Sequence, residues 1–370
     1  MVVPRQRLAV LTSTMGGGGA QRSMVRLAGG LAERGYDVDL VLGRRDEDDH
    51  YRGEVSDTVR IVSLDASRAL FSVPSLIRYL RRERPVAMVT SLDYMNVLGV
   101  WARRLARVPT RVVVNEQNTL SMVADNGTRR RQRVLPWLVR RSYRRADGIA
   151  GVSEGVCDDM ARVLGLPRER VQVIHNPVVV PRLAEMAAEP LDHPWFGPDE
   201  PPVLLAVGRL APQKDFEALL RAFAKVRASH AARLLILGDG EERSRLERLV
   251  TELGLGEDVD LPGWAVNPYP YMASADLFVL SSRWEGLPTV LIEALYCGLP
   301  IVATDCPSGP REILRGGRFG SLVPVGDVDA LAQAIGDALD GDVPAPVPES
   351  WAPYRQDIVA DRYLQLMLGG

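Results

Sequence analysis

The chain has 370 residues, 46% of them apolar and 25% charged, with a formal net charge of −2. That is enough for two domains of ordinary size, and net charge alone argues neither for nor against a charged partner. The balance hides a split: residues 1–180 carry 29 Lys+Arg against 19 Asp+Glu, and residues 181–370 carry 16 against 28, which suits either an anionic partner for the first half or an attraction between the halves.

Three dispersed cysteines, Cys157, Cys297 and Cys306, show neither CxxC nor Cys/His metal spacing, so a disulfide framework is not expected. No apolar stretch approaches the ~18 residues that span a bilayer, and the first seven residues lack the apolar core of a signal peptide. The expected setting is the reducing cytoplasm.

Short apolar runs at 8–11, 38–42, 86–89, 112–114, 148–151 and 171–174 predict buried strands, with amphipathic helices between them, as at 21–34 and 75–84. Seven prolines from 177 to 202 then predict a linker around 176–201. A second series of strands follows at 203–207, 234–237, 259–261, 277–280, 301–303 and 322–323, again with helices between, as at 215–229. The expected fold is α/β, two doubly wound domains in tandem, with ligands at the carboxyl ends of the strands and in the cleft that the domains face. The boundaries are 1–180 and 181–354, with a C-terminal helix over 355–370 crossing back to the first domain.

The most informative stretch is 281–298, SSRWEGLPTVLIEALYCG, which joins a strand to a helix. Pro288 suits the first helical turn, and the unpaired N–H groups around 287–290 should favour an anion in the loop. Glu285 in that loop and Glu293 in the helix would be out of place beside an anion alone. A ligand carrying both phosphates and hydroxyls, such as a nucleotide sugar, resolves the conflict. Upstream, the segment 207–215, VGRLAPQKD, sets Arg209 and Lys214 after a strand and before a helix, where a guanidinium fork and an ammonium could neutralise one diphosphate.

The first βα turn, 12–21, carries four consecutive glycines at 16–19 that would let backbone approach a phosphate. It fails the dinucleotide pattern G-x-G-x-x-G, which argues against a dehydrogenase. A plain flexible turn also accounts for it.

Taken together, Gly208-Arg209…Lys214, Gly238-Asp239-Gly240 and Glu285-Gly286-Leu287-Pro288…Glu293-Ala294 resemble, in order and spacing, the retaining glycosyltransferases of family four, which have the GT-B fold. Residues 16–19, Val152-Ser153 and 174–177 extend the resemblance across nearly the whole chain. It implies transfer of a sugar from a nucleoside diphosphate donor with retention of configuration, with no cofactor and no obligatory metal. It further implies that Arg209 and Lys214 hold the diphosphate, Glu285 and the amides of Gly286, Leu287, Pro288 and Thr289 lie at the donor sugar, and Glu293 takes the ribose hydroxyls. Gly208 and Gly238 would line the donor, Gly263 and Trp264 would meet the base, and Gly17 and Gly18 would approach the phosphates. A UDP-sugar, hexose or N-acetylhexosamine, is the donor expected from the resemblance of 304–312 to members that build cell-surface glycans.

One departure is Gln117, standing where family members often carry His or Arg; it can hydrogen-bond but cannot accept a proton or supply a cation. Glu116, Gln117 and Asn118 are the candidate acceptor contacts. The four histidines show no metal or triad spacing, and no metal site is expected. Eight arginines from Arg129 to Arg145, around Trp137, suggest contact with an anionic membrane surface or a lipid pyrophosphate, or simply a solvated helix face. No nucleic-acid motif is present. The expected acceptor is a lipid-linked glycan or a small molecule, and the expected location is cytoplasmic, peripheral on the membrane's inner face. A catalytically silent nucleotide-sugar-binding protein and a nucleotide-sugar epimerase stand as alternatives.

Overall fold

The computed structural model describes residues 5–44, 49–67, 69–121 and 137–369. The chain forms two compact units, residues 1–178 with 354–370, and residues 179–353.

In the first unit the strands are β1 (Arg7–Thr12), β2 (Asp37–Leu42), β3 (Val59–Ser63), β4 (Ala87–Ser91), β5 (Arg111–Glu116), β6 (Gly148–Gly151) and β7 (Gln172–Val173). They form one parallel sheet in the order β3-β2-β1-β4-β5-β6-β7. Runs such as LAVLT and VVVN read as near-continuous apolar strands because helices cover both faces of such a sheet.

β3 is absent from the sequence expectations because it is an edge strand, half-exposed and interrupted by Arg60. That arginine has a structural task. Its fork donates to both carboxylate oxygens of Asp39, at 2.8 and 2.7 Å, and Tyr79 Oη donates to Asp39 Oδ2 at 2.7 Å. Asp39, 2% exposed in the middle of β2, is thereby paired and hydrogen-bonded, the condition under which a buried carboxylate is tolerated.

The helix Gln356–Leu368 packs on the helix Gly19–Glu33 within this unit. Gln356 Nε2 donates to Arg26 O at 2.6 Å, and Arg34 pairs with Asp361 at 2.6 Å. Gly29 and Gly30 make the close approach feasible, since a Cβ on Gly30 would stand 2.9 Å from Gln356 Cγ.

The second unit contains β8 (Val203–Val207), β9 (Arg233–Leu237), β10 (Val259–Gly263), β11 (Leu277–Leu280), β12 (Ile301–Thr304) and β13 (Ser321–Val323), parallel and in the order β10-β9-β8-β11-β12-β13. Its core gathers Leu204, Ala206, Phe216, Leu220, Phe223, Ile236 and their neighbours between sheet and helices. The order reverses between β8 and β11, the point where an open α/β sheet leaves a crevice outside its strand ends.

The expected linker at 176–201 is corrected here. From Val179 on it belongs to the second unit and holds the helix Leu183–Ala187. His193 sits among Trp195, Phe196 and Tyr271, with Nε2 at 3.2 Å from Asp260 Oδ2. The prolines mark turns in a packed segment, not a free tether. A smaller correction concerns Pro288, which occupies the N-cap of the helix Thr289–Tyr296 instead of its first turn.

Glycine is required where the turns after β8 and β9 cross. Gly238 has φ +147°, and a Cβ there would lie 1.9 Å from the Gly208 carbonyl oxygen. Replacing Gly238 by Ala is therefore expected to destabilise the second unit by roughly 3 kcal/mol or more, from strain plus overlap. Gly254→Ala, at φ +69° with nothing within 4 Å, should cost only about 1 kcal/mol; urea unfolding of both variants measures the difference.

Candidate active site

Three loops of the second unit meet at its reversal point. The turn after β8 runs from Gly208 to Asp215, and the loop after β11 runs from Ser281 to Pro288. They are laced together by Ser281 Oγ donating to Lys214 O at 2.7 Å, Arg283 N to Gln213 O at 2.8 Å and Gln213 Nε2 to Trp284 O at 2.8 Å. From the end of β12, Thr304 Oγ1 donates to Ser282 O at 2.6 Å. Gly309, at φ +93°, lets that third loop pass Pro288, whose Cδ a Cβ would meet at 2.4 Å.

Inside this frame Lys214 Nζ stands 2.6 Å from Glu285 Oε1, and Ser282 Oγ donates to the same oxygen at 2.7 Å. Glu285 is 6% exposed. A carboxylate so buried needs a cation and hydrogen-bond donors, and both are supplied locally. Lys214 has three N–H donors and gives one to Glu285, leaving others for an incoming anion.

Arg209, on the same turn, is exposed and has no shared ion pair among the described residues. Its turn is held by Leu210 N donating to Asp239 O at 2.9 Å and Ala211 N donating to Arg209 O at 2.8 Å. Lys214 and Arg209 thus flank one strand end, one cation engaged and one facing solvent.

Glu293, 3% exposed, accepts from Tyr269 Oη at 2.8 Å. Tyr269 is fully buried and begins the helix Tyr269–Ser274. Of the remaining donor candidates, Gly286, Leu287 and Pro288 are buried, Thr289 is half-buried and opens its helix, and Trp264 is 45% exposed at the end of β10. Gly263, at φ +102°, accepts through its carbonyl from Gly238 N at 2.8 Å. Arg243 ties this edge together by donating to Gly238 O and Leu261 O, each at 3.1 Å.

Tyr269, Ser282, Gln213 and Arg243 were not among the sequence candidates. Tyr269 and Gln213 act through partners 24 and 71 positions away, which local spacing does not encode, whereas Ser282 lies three residues from the Glu285 carboxylate it meets.

In the first unit Gly17 is exposed and Gly18 half-buried, ahead of the helix Gly19–Glu33. The carboxyl end of β5 carries a buried polar chain. Thr90 Oγ1 donates to Asn96 Oδ1 (2.6 Å), Asn96 Nδ2 to Tyr143 Oη (2.7 Å), and Tyr143 Oη to Glu116 Oε2 (2.5 Å). Burial pushes the Glu116 carboxyl up to about 8, against the lowering effect of Tyr143, and burial likewise holds the Tyr143 proton. Gln117 and Asn176 form a reciprocal amide pair, Gln117 Nε2 to Asn176 Oδ1 at 3.2 Å and Asn176 Nδ2 to Gln117 Oε1 at 2.9 Å. Glu116 and Gln117 are therefore buried and engaged with the protein, while Asn118 is half-buried.

Of the arginine stretch, 129–136 lies outside the described residues. Arg144 donates to the carbonyls of Leu164 and Gly165, closing the helix Glu154–Leu164. Among the described residues no three His, Cys, Asp or Glu side chains gather as a metal set, and no helix is long and apolar enough to cross a membrane.

The family model described as glycosyl transferases group 1 matches residues 191–356, and that described as glycosyl transferase 4-like domain matches 18–177. The lipopolysaccharide core biosynthesis glycosyltransferase LpsE of Rhizobium meliloti (strain 1021) is 30% identical over 365 residues, covering 95% of this chain and 96% of the relative. The N-acetylgalactosamine-N,N'-diacetylbacillosaminyl-diphospho-undecaprenol 4-alpha-N-acetylgalactosaminyltransferase of Campylobacter jejuni is 28% identical over 348 residues, 91% of each chain. Among solved structures, Anabaena HepE in complex with UDP and glucose matches with a TM-score of 0.78 at 18% identity, over 99% of this chain and 100% of that one, a likeness of fold.

Two outcomes follow from this geometry. Lys214→Met should cost about 3 kcal/mol by leaving Glu285 buried without its cation. Adding Glu285→Gln should recover about 1–3 kcal/mol of that loss in a double-mutant cycle read by urea unfolding.

The second concerns pH. The folded protein keeps the Glu116 proton up to about pH 8, whereas the unfolded chain releases it near 4.5. Folding takes up a proton between those values, so the contribution is complete below the unfolded value and is lost as pH rises through the folded one, by at most about 1.4 kcal/mol per pH unit. Glu116→Gln should flatten the slope of stability between pH 5 and pH 8 relative to the parent protein (roughly the window named by those two values).

Proposed function

Because the chain belongs to the group 1 glycosyltransferases, of GT-B fold, we propose that it transfers a hexose or N-acetylhexosamine from a nucleoside diphosphate donor, preferably a UDP-sugar, to a lipid-linked glycan or a small-molecule core, with retention of configuration and without an obligatory metal. The observation that carries this is the lacing of the turns after β8 and β11, which sets Arg209, Lys214 and Glu285 around one strand-end crevice. The relatives' names support the acceptor class: the Rhizobium protein is named for lipopolysaccharide core biosynthesis and the Campylobacter protein for a diphospho-undecaprenol-linked sugar. HepE was solved with UDP and glucose, which supports the donor class.

In this scheme Arg209 and Lys214 take the diphosphate, and their charge grows more favourable as the glycosidic bond breaks and the leaving group gains negative charge. Glu285 accepts from hydroxyls of the donor sugar, beside the amides of 286–289. Glu293, oriented by Tyr269, accepts from the ribose. Gly208, Gly238, Gly263 and Trp264 line the nucleotide, and Gly17 and Gly18 serve the phosphates. Glu116, Gln117 and Asn118 serve the acceptor. Since the Gln117 amide cannot take a proton, the departing phosphate oxygen receives the acceptor's proton.

The test is a panel of UDP-, GDP- and ADP-sugars, each with and without an acceptor extract, in the presence and absence of EDTA. Acceptor-dependent release of UDP that persists in EDTA supports transfer. Sugar conversion without acceptor points to epimerisation, and binding without turnover to a silent protein. Arg209→Ala, at an exposed position whose loss should leave the fold intact, is expected to lower kcat/KM for the donor about 10- to 100-fold; unchanged kinetics would remove Arg209 from the site.

A further inference from the structure

The arginine stretch acquires a second half in the folded first unit. The helix Asp93–Ala106 brings Trp101 against residues 137–145, with Trp101 Nε1 donating to Ser142 Oγ at 2.9 Å. Arg104 and Arg145 both lie over the Trp101 ring at 5.9 Å, and Arg141 lies over the Trp137 ring at 5.6 Å. Arg145 Nη1 donates back to Arg141 O at 2.6 Å, so the Trp137–Arg141–Arg145–Trp101–Arg104 sequence of contacts is continuous across two chain segments far apart in sequence. Beside it Leu105 is 55% exposed and Trp137 60% exposed.

The charge on this face is one-sided. Residues 101–107 and 137–145 contain seven arginines and no acid. Arg103 pairs with the neighbouring Asp147 at 2.6 Å, but among the described residues no carboxylate pairs with Arg104, Arg107, Arg140 or Arg141. A solvated basic helix would carry guanidinium groups without exposed tryptophan and leucine among them. A protein-docking patch of ordinary composition would lose charge towards its middle. Exposed Trp and Leu set among unpaired arginines match the interfacial layer of an anionic bilayer, where aromatic rings sit at headgroup level and each basic side chain gains attraction from the surface potential.

We propose that this two-segment face docks the first unit on an anionic lipid bilayer, with Trp137 and Leu105 entering the headgroup layer and Arg104, Arg107, Arg140 and Arg141 pairing with lipid phosphates. It deepens the proposed lipid-linked acceptor and rests on that reading for its purpose, while its geometry stands independently. The arginines that already bind within the protein, Arg103, Arg144 and Arg145, hold the face together.

Vesicle sedimentation tests it, using phosphatidylcholine alone and phosphatidylcholine mixed with phosphatidylglycerol. The full chain should bind the mixed vesicles and not the neutral ones, and added salt should weaken the binding. Arg104→Ser with Arg141→Ser should weaken it roughly 10- to 30-fold. Trp137→Phe should remove part of the tryptophan quenching seen with brominated lipid, which reports insertion directly and does not depend on charge.

Titration with UDP accompanies each variant. Preserved UDP binding shows that the fold is intact, whereas a parent chain that binds vesicles but not UDP would remove the proposed function and leave the docking face standing. Equal binding to neutral vesicles, mixed-vesicle binding unchanged in the double variant, or retention by RNA or heparin without vesicle binding would each overturn the docking face.

Discussion

The pairing of Lys214 with Glu285 is the interaction on which the second unit's site depends. Glu285 would not be tolerable at its burial alone, because a carboxylate withdrawn from water without a partner costs several kcal/mol. Meeting at 2.6 Å, the two residues also join two segments 71 residues apart, and the backbone bonds from Ser281 and Arg283 make that junction rigid. The sheet order makes the meeting possible. β8 and β11 are adjacent although two strands intervene in sequence, so the turns that follow them open side by side. A crevice with charge on its walls results from topology before any ligand is considered.

Glycine does the complementary work at the same edge. The turns after β8 and β9 approach until the Gly208 carbonyl lies where a Cβ of residue 238 would be, and Gly309 gives way to Pro288 in the loop after β12. Backbone can therefore come close to whatever occupies the crevice, and polar main-chain groups can contribute to recognition without intervening side chains. The first unit follows another rule at its strand ends. There the polar side chains turn inward: Glu116 on Tyr143, and Gln117 on Asn176. A site made of satisfied, buried groups is stiff, and a neutral carboxyl within it avoids the cost of a buried charge.

The units of this fold were legible in the sequence wherever burial on both sides of a strand left an apolar run, as at Val203–Val207 and Leu277–Leu280. β3 was not, because an edge strand needs only one apolar face, here Val59 and Ile61, and Arg60 on the opposite face breaks the apolar run. The prolines of 176–201 were misleading for a related reason. Proline reports on backbone dihedrals, whereas the packing of His193 among Trp195, Phe196 and Tyr271 depends on a partner helix some 75 residues away. Arg209, Lys214, Glu285 and Glu293 could be picked out by charge type next to strand ends. Tyr269 could not, since nothing in its own neighbourhood says that it will meet Glu293, 24 positions on.

Sequence by itself determined the alternation of strand and helix, the two series of strands, and the charged residue types at their ends, because these are encoded by periodicity and composition within short windows. Only the tertiary structure decided which of those ends adjoin, that Lys214 holds Glu285 and Tyr269 holds Glu293, that Gln117 is locked to Asn176, and that the arginines after Trp137 share a face with Trp101. Each of these joins residues separated by 24 to 71 positions. At such separations strand order and packing set the partner, and local propensity carries no record of it.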